Sequence, residues 1–189
     1  SFIEHLEGNL DTAIMHKMQA LDLYRQTNDT HNTALLLAHL ASHEFNNKNI
    51  TESRKYIEES LLICNEIDDK FLISINLIVL GNVHSFQKEY EDAFEVYNRA
   101  LAIVKEGGYK SNHLVALHSI GKTLASLKDY GGAIKNFKES ILLGKETHID
   151  YFLSRNLYEL AKAYYDLNDH QTALSHFIFL KKITGGHND

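Results

Sequence analysis

Histidine is the residue type here best suited to chemistry, with twelve in the chain against a single cysteine. His39 and His43 stand four apart and are followed by Glu44, a spacing that puts two imidazoles on one helical face and is able to chelate zinc. Such a site needs three or four ligands, and no third lies nearby in sequence. Stepping 40 residues at a time from His39 meets Val79, Ser119 and Glu159, and from His43 meets Val83, Thr123 and Ala163, so neither position holds a ligand type throughout. His84 falls in the column of Glu44, Leu124 and Tyr164, which reads as packing rather than as a general base. Cys64 excludes an internal disulfide and a cysteine zinc site, and no adjacent Lys or Arg lowers its pKa, so it reads as a packing thiol. There is no phosphate-cradling glycine loop, nucleophile elbow or HExxH; Gly107-Gly108 and Gly131-Gly132 punctuate helices. The expectation is a non-enzyme with no catalytic residues, metal or cofactor.

The elements behind these residues recur with a period of 40. Leu37, Leu77, Leu117 and Leu157 form one column, Leu40, Leu80, Ile120 and Leu160 another, and Ala41, Gly81, Gly121 and Ala161 a third. Ala13, Ser53, Ala93, Ala133 and Ala173 are small at every step, while Ala20, Ser60, Ala100 and Ser140 give way to Leu180. Within a unit the apolar spacing is three and four, which is helical. Polar breaks at 46–49, 87–89, 127–129 and 167–169 split each unit into a hairpin, with no proline in the chain. First helices are expected near 31–46, 70–86, 110–126 and 150–166, and second helices near 10–27, 50–67, 90–106, 130–147 and 170–184. Small columns let paired helices approach, so Gly81 or Ala93 replaced by Leu should overpack the crossing.

Apolar residues are 44% and charged residues 23% of 189, a globular composition able to bury a core without staples. The net charge of −6, with no Lys/Arg cluster, argues against nucleic acid as a partner. The most apolar run, 71–80, is interrupted by Ser74 and Asn76 and is too short to span a bilayer; no targeting segment is visible. A cytoplasmic location is expected.

Leu77-x-x-Leu80-Gly81-x-x-His84 followed by Ala93-x-x-x-Tyr97, and Leu117-x-x-Ile120-Gly121 with Ala133-x-x-x-Phe137, resemble the tetratricopeptide (TPR) signature. Leucine stands where that signature has tryptophan, and the unit is six residues longer than the common one of about 34. Long repeats of this kind are similar to those of Rap-type peptide-responsive regulators, LuxR-type and sensor-kinase or cyclase input regions, and spindle-orientation adaptors. The resemblance implies an all-α solenoid, a right-handed superhelix of about four and a half hairpins. Its units are 1–29 (partial), 30–69, 70–109, 110–149 and 150–184, with a tail at 185–189. The chain is expected to be a piece of a larger protein, because Ser1–Gly8 matches only the end of a first helix and the array stops without a polar terminal helix.

The resemblance also implies a concave groove lined by first helices. The candidate stripe is Leu35, Ala38, Ser42, Phe45; Ile75, Ile78, Asn82, Ser85; Val115, His118, Lys122, Ala125; Arg155, Tyr158, Lys162, Tyr165. Its first half is apolar with hydroxyl and amide groups, and its second half is basic and aromatic, suited to an anionic group such as a peptide carboxylate. Asn82 is assigned a backbone-bonding role on the resemblance. The bland alternative is that the polar members are a solvated face and Ile75, Ile78 and Val115 extra core. The expected function is peptide or protein binding in a sensory or adaptor region. The alternatives are the repeat portion of a Rap-like response-regulator phosphatase, or homo-oligomerisation through the terminal repeats.

Overall fold

One residue at positive φ recurs every 20 positions: Asn28, Lys48, Asp68, Lys88, Gly108, Lys128, His148 and Asn168, with φ between 51° and 66°. Each ends a helix by turning the chain left-handed. The residue after each then returns its N–H to the carbonyl five positions back, as from Asp69 to Cys64 and from Glu89 to His84, both at 2.9 Å. Both kinds of turn, within a hairpin and between hairpins, are therefore the same, and the 40-residue unit is two 20-residue halves.

The structure, a computed structural model, describes residues 15–149 and 152–185. A helix over 15–26 (α1) is followed by α2 (Thr30–Asn46), α3 (Ile50–Glu66), α4 (Lys70–Phe86), α5 (Tyr90–Glu106), α6 (Lys110–Ser126), α7 (Tyr130–Thr147), α8 (Leu153–Asp166) and α9 (His170–Gly185). The helices fall where the 40-residue columns place them. One start differs: α8 opens at Leu153 after Phe152, rather than near 150. The expectations for Ser1–Gly8, Ala13 and residues 150–151 lie outside the described residues.

Helix starts follow capping chemistry. Asp29, Asp69, Asp129 and Asp169 each accept a hydrogen bond from the backbone N–H three residues on, at 2.9–3.1 Å, satisfying a donor that the helix leaves open. The first two cap first helices, and the last two cap second helices.

The repeat columns form the core. Leu37, Leu77, Leu117 and Leu157 are buried, as are Ala41, Gly81, Gly121 and Ala161. Ring carbons of Tyr97 and Phe137 lie over Gly81 and Gly121, leaving no room for a Cβ. Where a column carries serine, the hydroxyl is used: Ser53 donates to the Ala41 carbonyl and Ser60 to the Ala34 carbonyl, each at 2.8 Å. Hairpin partners make the largest contacts; alternate first helices also touch one another, α2 with α4, α4 with α6 and, more thinly, α6 with α8. Consecutive second helices make no comparable contact among the described residues. The array therefore closes along its first helices and splays along its second helices, so the first helices line the inner face. No described helix is long and apolar enough to cross a membrane.

Candidate functional site on the inner face

The first helices meet along a polar seam. Asn112 on α6 donates to the Ser74 hydroxyl on α4 at 2.8 Å, and Thr123 donates to Ser85 at 2.9 Å. Between α6 and α8 the seam is a histidine–asparagine pair, with His118 Nδ1 2.8 Å from Asn156 Oδ1. Because Asn156 Nδ2 donates to Ser140 Oγ at 2.8 Å, its Oδ1 is the acceptor and His118 Nδ1 carries the proton. Phe137 and Phe152 flank the imidazole, with ring centroids 5.9 and 5.6 Å away. Burial pushes the His118 pKa down, and the nearby Lys122 and Arg155 push the same way, against Asn156 and Glu159. His118 is thus held in a fixed orientation between α6 and α8.

The apolar half of the stripe is mostly committed to packing. Ile78 is 2% exposed inside the cluster of Leu72, Leu77 and Ala116, while Ile75, Val115 and Leu35 are half-buried against the same cluster. Ala38 is fully buried, and Phe45 packs on Ala41, Ile57, Val79 and Val83 while meeting Phe86 edge-on at 6.2 Å. The carbonyl of the Asn82 side chain accepts from the Tyr97 hydroxyl at 2.8 Å, so that oxygen is already used. Ser42, Ser85 and Ala125 are half-buried.

The basic half is open. Lys122, Arg155, Tyr158, Lys162 and Tyr165 are all exposed, Tyr165 to 58%. Lys162 Nζ lies 5.5 Å from the Tyr158 ring centroid, a cation–π arrangement, and Tyr158 meets Phe177 of α9 edge-on at 6.1 Å. Tyr165 packs against His170 at 4.9 Å. Sequence reasoning missed Glu159, whose carboxylate sits 3.4 Å from Lys162 and lies within electrostatic reach of His118. Its place at i−3 from Lys162 was the available signal. Glu159 offsets part of the positive charge that Lys122, Arg155 and Lys162 bring to this end of the face.

The histidines outside this seam do not assemble the site the 39/43 spacing suggests. His39 is exposed, and His43 Nδ1 lies 3.2 Å from Asn47 Nδ2 and 3.6 Å from Glu44. Among the described residues the one trio of metal-type ligands close together is His84, Glu89 and Asp92. There His84 Nδ1 is 2.7 Å from Glu89, itself 4.0 Å from Arg54, so the carboxylate bridges the two across a helix start.

Residues 32–106 match the tetratricopeptide repeat family. That match takes in two of the hairpins, α2–α3 and α4–α5, and the later hairpins repeat their architecture. No curated protein matches the chain in sequence. Among solved structures, the chain is similar to the apo form of RapI (TM-score 0.69, 19% identity), covering 93% of this chain and 51% of that one. It is also similar to a signal transduction ATPase with numerous domains and a tetratricopeptide repeat sensor, from Pyrococcus horikoshii (TM-score 0.67, 17% identity, 88% of this chain and 27% of that one). A third is aspartyl phosphate phosphatase F from Bacillus subtilis (TM-score 0.61, 14% identity, 90% and 56%). The chain thus spans between about a quarter and just over half of the length of these three, and at such identities the likeness is one of fold.

Proposed function

We propose that this tetratricopeptide array is non-catalytic and holds an acidic peptide or protein segment at the α6/α8 end of its inner face. The observation that carries the reading is that Lys122 of α6 and Arg155 of α8 both lie within electrostatic reach of the half-buried His118 that bonds Asn156, with Lys162 over the Tyr158 ring on the same helix. The fixed imidazole keeps α6 and α8 in register, so the two cations are held by rigid helices rather than by loops. A carboxylate entering between them gains charge-assisted hydrogen bonds, and Tyr158 and Tyr165 offer apolar area with polar tips for flanking side chains. The apolar end of the stripe, Ile75, Ile78 and Val115, serves this reading as the rigid floor rather than as side-chain pockets, with Asn82 near it. The units are 30–69, 70–109, 110–149 and 150–184, and the chain acts as the sensory or adaptor part of a larger cytoplasmic signalling protein. A solved neighbour whose repeats are described as a sensor is consistent with that role.

The test is fluorescence anisotropy with a labelled Asp/Glu-containing peptide carrying a free C-terminal carboxylate, against an amidated Lys-containing control. The wild type should bind the acidic peptide alone, and Lys122→Ala/Arg155→Ala/Lys162→Ala together should weaken it by roughly tenfold or more. Equal binding of the acidic peptide by wild type and triple variant would remove the proposal.

A further inference from the structure

A second surface lies on the other side of α8, where it meets the second helices α7 and α9. Lys138, Ile141, Leu142 and Lys145 of α7, Leu157 and Leu160 of α8, and His176 and Phe179 of α9 enclose an open groove of about 370 Å³. The four α7 residues fall at i, i+3, i+4 and i+7, so they form one stripe, apolar in the middle with a lysine at each end about 10 Å apart along the axis. Both charged residues lining the groove are lysines, in a chain whose acids outnumber its bases by 25 to 19. Lys138 is held in place over the Tyr164 ring, its Nζ 5.4 Å from the centroid, and His176 stacks on the same ring at 5.6 Å.

The lip of the groove departs from the repeat. Where α9 has Ile178, the equivalent positions are Glu58, Asn98 and Lys138, and where it has Phe179 they are Glu59, Arg99 and Glu139. Both apolar residues remain exposed, Ile178 to 60% and Phe179 to 43%, with Leu174 one turn earlier also exposed. Across these two columns three units carry charge and α1 pairs the exposed Met18 with Gln19, whereas α9 places two large apolar side chains side by side.

We infer that the α7–α8–α9 groove is a docking site for an acidic amphipathic helix of a partner protein, whose apolar face fills the groove and whose carboxylates meet Lys138 and Lys145. The roughly 10 Å between the two lysines matches about two turns of helix, and helix-in-groove recognition uses the same i, i+3, i+4, i+7 spacing that α7 presents. Charge selects this occupant over a second copy of the chain. Two copies meeting groove to groove would bring four lysines together, a like-charge arrangement that disfavours association. The site faces away from Lys122, Arg155 and Lys162, so the array binds two partners on opposite sides of α8, and neither site depends on the other.

The test uses the full chain and two 18-residue helical peptides with the same Leu/Ile face, one flanked by Glu and one by Lys, measured by fluorescence anisotropy. The Glu-flanked peptide should bind and the Lys-flanked one should not. Lys138→Glu/Lys145→Glu should reverse that preference and weaken the Glu-flanked peptide by roughly tenfold or more. Phe179→Ser, an exposed position, should weaken it without lowering the melting temperature, and provides the readout should the charge-reversed protein fail to fold. The inner-face triple variant should leave this binding intact, which separates the two sites. The inference is overturned if neither peptide binds, if both bind alike, if preference survives charge reversal in a folded protein, or if only the inner-face variant abolishes binding. It is also overturned if sedimentation shows a dimer of the chain that Phe179→Ser dissolves, since the occupant is then a second copy.

Discussion

A Cβ on Gly121 would lie 2.6 Å from Cε1 of Phe137, and one on Gly81 would lie 2.6 Å from Cδ1 of Tyr97 and closer still to Cε1. Each pair is sixteen residues apart and marks where the two helices of a hairpin cross. Gly121→Ala should therefore destabilise the fold, although alanine is the better helix former by about 1 kcal/mol. Overpacking costs roughly 1–3 kcal/mol and wins because a buried aromatic ring has nowhere to go. Phe137→Leu makes room for the methyl group, so the double variant should lose less than the two single losses combined. Urea denaturation of the four proteins measures that coupling, and simple additivity would show that the contact does not set the glycine.

These pairs also explain what the sequence made legible. Gly81 with Tyr97 and Gly121 with Phe137 appear as columns because the same crossing must be solved in each unit by the same volumes. The inner face has no such constraint, and its reading was mixed. Lys122 and Lys162 are exposed, whereas Ile78, at an equivalent position to His118, is core in a helix with both α2 and α6 against it. How closely the neighbouring first helices press on each face, tightly around α4 and more thinly between α6 and α8, is something that no single-helix periodicity reveals. Asn156 was equally hidden: its partner His118 lies 38 residues away, on the neighbouring first helix. The left-handed turns were only half visible, since breaks were expected at polar residues but a shared 20-residue turn was not.

That turn gives a prediction. Lys48, Lys88 and Lys128 adopt φ of 63–66°, a region where a side chain's Cβ crowds the carbonyl at a cost of roughly 1–2 kcal/mol. All three are exposed. Gly108 occupies the equivalent turn between units without strain. Replacing each lysine with glycine should stabilise the chain by up to about 1 kcal/mol, the relief of strain exceeding the added freedom of the unfolded chain. The three effects should add, because the sites are far apart. Unchanged or lower melting temperatures in all three would mean that the turns are held by something other than local backbone preference.

Acid should loosen the array through the imidazoles that the fold desolvates. Burial lowers the pKa of His39, His113, His118 and His176 in the fold, with Lys17, Lys105, Lys122 and Arg155, and Lys138 respectively adding to the effect. Glu139 and Glu159 oppose it at His113 and His118. The unfolded chain then binds more protons than the fold once pH drops below the ordinary histidine value near 6.5. Stability from these groups is complete above that pH and is lost as pH falls through their lowered folded values. His118→Gln keeps a donor for Asn156 and removes one titrating group, so its denaturation midpoint should fall less steeply between about pH 7 and 5 than that of wild type. Parallel curves would assign the acid sensitivity elsewhere.

Glu159 is a competitor built into the proposed inner-face site, since its carboxylate already sits 3.4 Å from Lys162 and is only partly exposed. An arriving acidic peptide must share that cation or displace the glutamate. Glu159→Gln removes the internal anion with little change of shape, raising the local positive charge by one. Affinity for an acidic peptide should rise a few-fold, a modest gain because a partly exposed ion pair contributes at most about 1 kcal/mol. The salt dependence should steepen as well, as one more cation becomes available to the ligand. Binding that weakens in Glu159→Gln would mean that Glu159 orients Lys162 for the ligand rather than masking it. Anisotropy titrations at two ionic strengths separate these outcomes.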